Sequence, residues 1–239
     1  MDIIAHIETD FPTKFGIPRQ SGLVKGLVSR IIFTPEYRHA EALRGLEGYS
    51  HIWLLWDFSQ AHDGKGWHPT VRPPRLGGNR RMGVWATRSP FRPNHIGLSC
   101  VRIHSISLHT PQGPVIEVEG ADLMSGTPIL DIKPYLPYVD CHPDATGGFA
   151  QEQNEQIRPL HVEIPVSLEN LIPEEKRESL RAILASDPRP HYHNDPERIY
   201  TMPFSTLEIS FQVSGNALTV TAIRPAPTVL HPTQTITDA

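Results

Sequence analysis

Arg88 and Arg92 close the two ends of the loop Arg88-Ser-Pro-Phe-Arg92, and Pro90 and Pro93 fix φ along it and stiffen the backbone. Guanidinium groups carried on a stiff loop lose little freedom on meeting a ligand, and each can bind two oxygens of a carboxylate or phosphate. A second set of polar side chains is Asp131, Lys133 and Tyr135, which alternate with Ile132 and Pro134 and so share one face of an extended chain. That face is either a carboxylate, an ammonium and a phenol placed for chemistry, or a solvated strand rim. Just upstream, the turn Ser125-Gly-Thr-Pro128 can offer backbone N–H and C=O groups to a ligand.

The arginine loop belongs to a wider anomaly of charge. Residues 64–116 contain no Asp or Glu and carry eight cations: Lys65, Arg72, Arg75, Arg80, Arg81, Arg88, Arg92 and Arg102. The chain holds 22 Lys and Arg against 26 Asp and Glu, so the remainder has 14 cations and 26 acids, a net charge of −12. A basic island in so acidic a background points to an anionic ligand. The plainer alternative is a set of solvated ion pairs with acids elsewhere. Trp67, Trp85 and Phe91 interleave with the arginines, and flat aromatic faces beside guanidinium groups suit bases and phosphates together.

Several familiar chemistries are missing. No Gly-x-Gly-x-x-Gly follows a strand, no Walker lysine follows a glycine loop, and no Gly-x-Ser-x-Gly elbow is present. The 13 histidines include one tight pair, His191 and His193, with neither a cysteine nor a third ligand at metal spacing, so no metal is expected. Cys100 and Cys141 form no CxxC pair, which argues against a disulfide framework or an iron–sulfur centre and for a reducing, cytoplasmic setting. The opening Met1-Asp-Ile-Ile-Ala-His6 lacks the apolar core of a secretory signal, and the apolar run at residues 52–56 is too short for a membrane helix.

These groups must be positioned by short elements, since 24 prolines and 17 glycines leave little room for long helices. Strands are expected over residues 3–8, 26–33, 50–58, 82–88, 97–108, 114–120 and 127–132, with a short helix over 37–46. The aromatic, continuously apolar stretch 50–58 reads as a buried strand. In 97–108 the apolar set Val101 and Ile103 gives way to Ile106 and Leu108, a phase slip near His104-Ser105 that a β-bulge would produce. Leu130 and Ile132 are expected to enter the core with the Asp131 carboxylate facing the other way. About seven strands with few helices predict a mainly β protein, with an antiparallel β-barrel over residues 1–140. A polar linker over 141–159 leads to a small α+β domain over 160–226, with a loose tail at 227–239. That second domain contains a strand at 161–166, a helix begun at Pro173, and a hairpin around Ser214-Gly-Asn216.

Four runs in order resemble the TrmO (TsaA-like) family: Arg19-Gln-Ser-Gly-Leu23, Val71-Arg-Pro-Pro-Arg-Leu-Gly-Gly-Asn79, the run from Gly83 to Asn94, and Gly126-Thr-Pro-Ile-Leu-Asp-Ile-Lys-Pro-Tyr135. The run Asp187-Pro-Arg-Pro-His-Tyr192 is similar to the family's bacterial C-terminal extension. The resemblance implies a β-barrel tRNA adenosine N6-methyltransferase that uses S-adenosylmethionine and acts as a homodimer, with the cofactor near the subunit interface. It implies as substrate N6-threonylcarbamoyladenosine beside the anticodon of threonine tRNA. It also implies that Arg19, Gln20, Phe58, Ser59, Arg88, Leu98, Leu123, Met124, Ser125 and Gly126 border the cofactor. Two positions depart from the family pattern: Ser125, where Asp is frequent, and His95, where Pro is frequent.

Methyl transfer to a nitrogen bearing a carbonyl substituent calls for alignment and a nearby proton acceptor. Asp131 is the candidate acceptor, or else the ion-pair partner of Arg88 or Lys133; Tyr135 shares its face. Arg88 and Arg92 are candidates for the threonyl carboxylate or a phosphate, and Arg72, Arg75, Arg80, Arg81 and Lys133 for the tRNA. The alternatives are a non-catalytic RNA-binding barrel and a methyltransferase for small molecules.

Overall fold

The computed structural model describes residues 1–61, 67–73, 80–151, 158–189 and 195–227. Six strands close into an antiparallel barrel: β1 (Ala5–Glu8), β2 (Val28–Phe33), β3 (His51–Asp57), β6 (Ile96–Ser107), β7 (Val115–Glu119) and β8 (Thr127–Pro134). Their order around the barrel is β1-β2-β7-β6-β3-β8. The intervening β4 (Thr70–Val71) and β5 (Met82–Gly83) form a separate two-stranded ribbon.

Alternation of side chains decides what fills the barrel. In β3, Ile52, Leu54 and Trp56 are buried while His51, Trp53, Leu55 and Asp57 are only partly covered, so the strand buries one face rather than two. β6 breaks register with β7 between Ile103 and Ser105, where its apolar pattern changes phase. A second irregularity is found where β3 meets β8: Leu55 stands opposite Asp131, but Trp56 stands opposite Ile129. Leu130 is thereby skipped in the pairing. Ile129 fills the core and Leu130 does not, contrary to the sequence expectation, while Ile132 packs against the core from its edge.

Two expected elements take other forms. Residues 37–46 form no α-helix; the region holds 3₁₀ turns at Pro35–Tyr37, Ala40–Leu43 and Leu46–Gly48. Gly45, at φ 88°, separates the second turn from the third, and Leu43 is the only buried residue of the three turns, so no apolar stripe exists to hold a longer helix. The strand expected over 82–88 stops after β5, and the chain turns through a 3₁₀ segment at Val84–Ala86.

After the short helix α1 (Pro137–Asp140), the second unit contains β9 (His161–Glu163), α2 (Val166–Glu169), α3 (Glu174–Ala185), β10 (Tyr200–Phe204), β11 (Leu207–Ser214) and β12 (Ala217–Pro225). Its sheet runs β10-β11-β12-β9, with β9 parallel to β12 and the other pairs antiparallel. Leu180, Ile183 and Leu184, at helical spacing on α3, are buried in its core.

That core also takes in Phe11, Val24 and Leu27 from the β1–β2 connection. The connection is therefore packed into the C-terminal unit. Lys176 Nζ on α3 lies 2.6 and 2.7 Å from the two carboxylate oxygens of Asp10, and the Ser205 N–H donates to Asp10 O at 2.7 Å. Arg19 Nη2 donates to the Asp187 carbonyl at 3.0 Å. Gly16, at φ +91°, passes so close to Met202 that a Cβ there would lie 2.6 Å from its sulfur.

Candidate active site

The paired ends of β3 and β6 form the floor of a cleft of about 320 Å³, contributed by Trp56, Ile96, Gly97 and Leu98, with Phe58 just beyond β3. The Phe58 N–H donates to His95 O at 2.8 Å, which continues the pairing past the strand ends. One wall is Pro18, Arg19 and Gln20 from the β1–β2 connection, and a second is Thr87, Arg88 and Arg92 from the arginine loop. Asp122, between β7 and β8, completes it and is the one acid lining it among the described residues. Arg88 Nη1 donates to Gln20 Oε1 and so joins the two walls.

The two arginines of the loop differ in what they do. Arg88 is exposed at the mouth of the cleft. Arg92 Nη1 donates to Thr87 O at 2.7 Å and Val84 O at 3.2 Å, which holds the 3₁₀ turn against the loop. Its guanidinium lies over the Trp85 ring, 5.2 Å from the centroid. Trp85 is 65% exposed and stacks on Trp67 with ring centroids 5.9 Å apart. Phe91, on the arginine loop itself, is also half-exposed.

Below the floor, Trp56 Nε1 donates to Ser99 Oγ at 3.0 Å, and Ser99 Oγ donates to Asp122 Oδ1 at 2.6 Å. Burial pushes the Asp122 carboxyl above its ordinary pKa; the Ser99 hydroxyl, nearby backbone N–H groups and the Arg88 charge pull the other way without cancelling it.

Arg19, Gln20, Phe58, Arg88, Arg92 and Leu98, all expected from the sequence, line this cleft. Ser59 starts the next 3₁₀ turn, and Leu123 is buried in the barrel core. Met124, Ser125 and Gly126 form the turn into β8, with the Ser125 N–H donating to Phe11 O and the Gly126 N–H to Ile7 O, each at 2.8 Å. These five do not line the cleft; their neighbour Asp122 does. Asp131 pairs with Lys133 at 2.8 Å, and Tyr135 packs against Trp53 and His51, with ring centroids 5.7 and 6.1 Å away. None of that trio lines the cleft either. Arg72, Arg80 and Arg81 are exposed; Lys65 and Arg75 lie outside the described residues. The sequence reading missed Asp122, Trp56 and Gly97.

Among the described residues no group of three His, Cys, Asp or Glu side chains could hold a metal ion, and no helix is long and apolar enough to cross a membrane. His191 and His193 lie outside the described residues.

Two family models match the chain: the tRNA-methyltransferase O N-terminal domain over residues 6–141 and the TrmO C-terminal domain over residues 149–226. The chain is 40% identical over 228 residues to the tRNA (adenine(37)-N6)-methyltransferase of Escherichia coli (strain K12), covering 93% of this chain and 96% of that protein. A relative in Pseudomonas aeruginosa, 40% identical over 215 residues and covering 86% and 89% of the two chains, carries a provisional name as an S-adenosylmethionine-dependent methyltransferase. The crystal structure of TrmO from Pseudomonas aeruginosa superposes with a TM-score of 0.73 at 31% identity, covering 92% of this chain and 96% of that one.

Proposed function

The chain belongs to the tRNA-methyltransferase O family, and on that premise we propose that it methylates N6 of N6-threonylcarbamoyladenosine adjacent to the anticodon of threonine tRNA. At the coarser level it is an S-adenosylmethionine-dependent tRNA (adenine-N6)-methyltransferase. The observation that carries the finer proposal is the meeting of Arg88, an aromatic floor and one carboxylate in a single cleft.

The lining fits the cofactor's mixed chemistry. Trp56, Phe58 and Leu98 offer apolar and aromatic surface for an adenine ring, and Arg19 and Gln20 polar partners for a carboxylate or hydroxyl. The turn containing Leu123, Met124, Ser125 and Gly126, together with Ser59, is proposed to border the site rather than floor it. Bound S-adenosylmethionine supplies an electrophilic methyl group.

The protein's part is to align the acceptor nitrogen and keep water out. Arg88, at the mouth, is placed to take the threonyl carboxylate through two N–H donors. Arg92 keeps the loop in shape and backs the Trp85 ring, on which a neighbouring base stacks. Arg72, Arg75, Arg80 and Arg81 carry the phosphate backbone, with Lys133. We take the chain to act in the cytoplasm as a homodimer, with the cleft near the subunit interface.

Mass spectrometry of tRNA nucleosides from a strain lacking the gene tests this. The expected result is loss of the N6-methylated threonylcarbamoyl nucleoside with accumulation of its unmethylated parent in threonine tRNA. An unchanged nucleoside profile would overturn the proposal.

A further inference from the structure

We propose that Asp122 takes up the N6 proton during methyl transfer, with Ser99 and Trp56 as the positioning residues that aim it; the proposal rests on the methyl-transfer reaction proposed above. Among the described residues, Asp122 is the only acid that lines the cleft. An indole N–H can donate but not accept, so the Trp56 bond commits Ser99 Oγ as its acceptor. The Ser99 hydrogen is then left to Asp122 Oδ1, at 2.6 Å. Ser99 is 1% exposed and Trp56 9% exposed, so water does not compete for this chain of donors. A carboxylate has about four lone-pair sites on two oxygens; Ser99 and the backbone N–H groups of Ser21 and Asp122 take up part of that capacity, and the remainder can take a proton.

Trp56 is itself immobilised. Phe58 packs on it with ring centroids 4.2 Å apart, and the Gly97 backbone lies directly against the ring. The donor chain therefore starts from a fixed ring and ends on a carboxylate at the cleft wall. Partial burial makes that carboxylate more basic than one in water, which suits a nitrogen acidified by its carbonyl substituent. Asp131, by contrast, is paired with Lys133, 45% exposed and outside the cleft.

In the step assigned here, the N6 lone pair forms the N–CH3 bond as the C–S bond breaks and its electron pair stays on sulfur. The N6–H proton passes to the Asp122 carboxylate. The products are a methylated nucleoside, a neutral thioether and a protonated Asp122, which returns its proton to water before the next turnover. No oxidant or further reactant is needed.

Single-turnover methylation of threonylcarbamoylated threonine tRNA, followed across pH, tests the assignment alongside calorimetry of S-adenosylmethionine binding. Asp122→Asn keeps the size of the side chain but cannot take up the proton, and should slow the reaction about 10²- to 10⁴-fold with cofactor affinity little changed. Ser99→Ala removes a hydrogen bond that favours the ionised form, so the acid limb of the pH–rate profile should move to higher pH. NMR titration of the Asp122 carboxyl should move the same way. The assignment is overturned by near wild-type turnover in Asp122→Asn. It is equally overturned if cofactor affinity falls in proportion to rate, which would make the carboxylate a cofactor ligand, or if neither the limb nor the NMR titration moves in Ser99→Ala. Wild-type protein that binds cofactor yet leaves this RNA unmethylated would count against the substrate instead, and the NMR titration, read without turnover, still decides whether Ser99 governs Asp122.

Discussion

Gly97 lies directly against the Trp56 indole: the two are cross-strand partners, and a Cβ on Gly97 would stand 2.2 Å from Trp56 Cε2. The backbone of β6 thus forms a flat seat for the ring, and the seat exists only because residue 97 has no side chain. The ring in turn floors the cleft and bonds Ser99.

Gly97→Ala must push the indole away. The cost expected for such overpacking is about 1–3 kcal/mol, and the displaced ring should also weaken S-adenosylmethionine binding. Thermal unfolding and calorimetry on one sample measure both. A variant with unaltered melting and affinity would mean that the ring does not shape the site.

Lys176 and Asp10 join the C-terminal unit to the connection that carries Arg19 and Gln20, and their side chains are 27% and 14% exposed. Lys176→Met leaves a largely covered carboxylate without its cation, with an expected loss of about 1.5–3 kcal/mol. Because the same connection forms a wall of the cleft, cofactor affinity should fall too. Unchanged affinity in a destabilised variant would show that the C-terminal unit does not position the wall.

Asp122 sets a pH dependence of stability with a definite sign. Burial raises its folded pKa, so the stability it allows is fully present below the ordinary carboxylate pKa and is lost as pH rises through the folded value. Asp122→Asn cannot ionise. Its melting temperature should match the wild type in acid and overtake it as pH rises through that window. A constant difference at every pH would contradict the assigned burial.

The basic face should be read by salt. Replacing Arg72, Arg75 and Arg80 by Ala together should weaken tRNA binding and flatten its dependence on log salt by roughly 0.9 per lost phosphate contact for duplex, less for single strands. Cofactor affinity should stay near normal. An unchanged slope would place the RNA elsewhere.

The sequence revealed some of this and hid the rest for physical reasons. The bulge near Ser105 was legible because apolar residues alternate cleanly on both sides of it. The one at Leu130 was not, because Ile129, Leu130 and Ile132 read equally well in either phase. The arginine loop was visible as a local pattern of charge and proline. Asp122 was not, since it lies between strands and its meaning comes from Ser99, 23 residues away, which is oriented by Trp56, 43 residues further still. The Asp10–Lys176 pair spans 166 residues. Such contacts leave no periodic trace. The candidate trio of Asp131, Lys133 and Tyr135 did share strand periodicity, but alternation fixes a shared face without saying what that face meets.

Transfer of isotope-labelled methyl from S-adenosylmethionine to purified threonine tRNA, with and without its threonylcarbamoyl group, bears most directly on the proposed activity. After digestion and mass spectrometry, the label should appear on N6 of threonylcarbamoyladenosine, only in the modified RNA, and should fall sharply in Arg88→Ala. Label at another nucleoside, equal label on the unmodified RNA, or no label from a protein that binds the cofactor would contradict it.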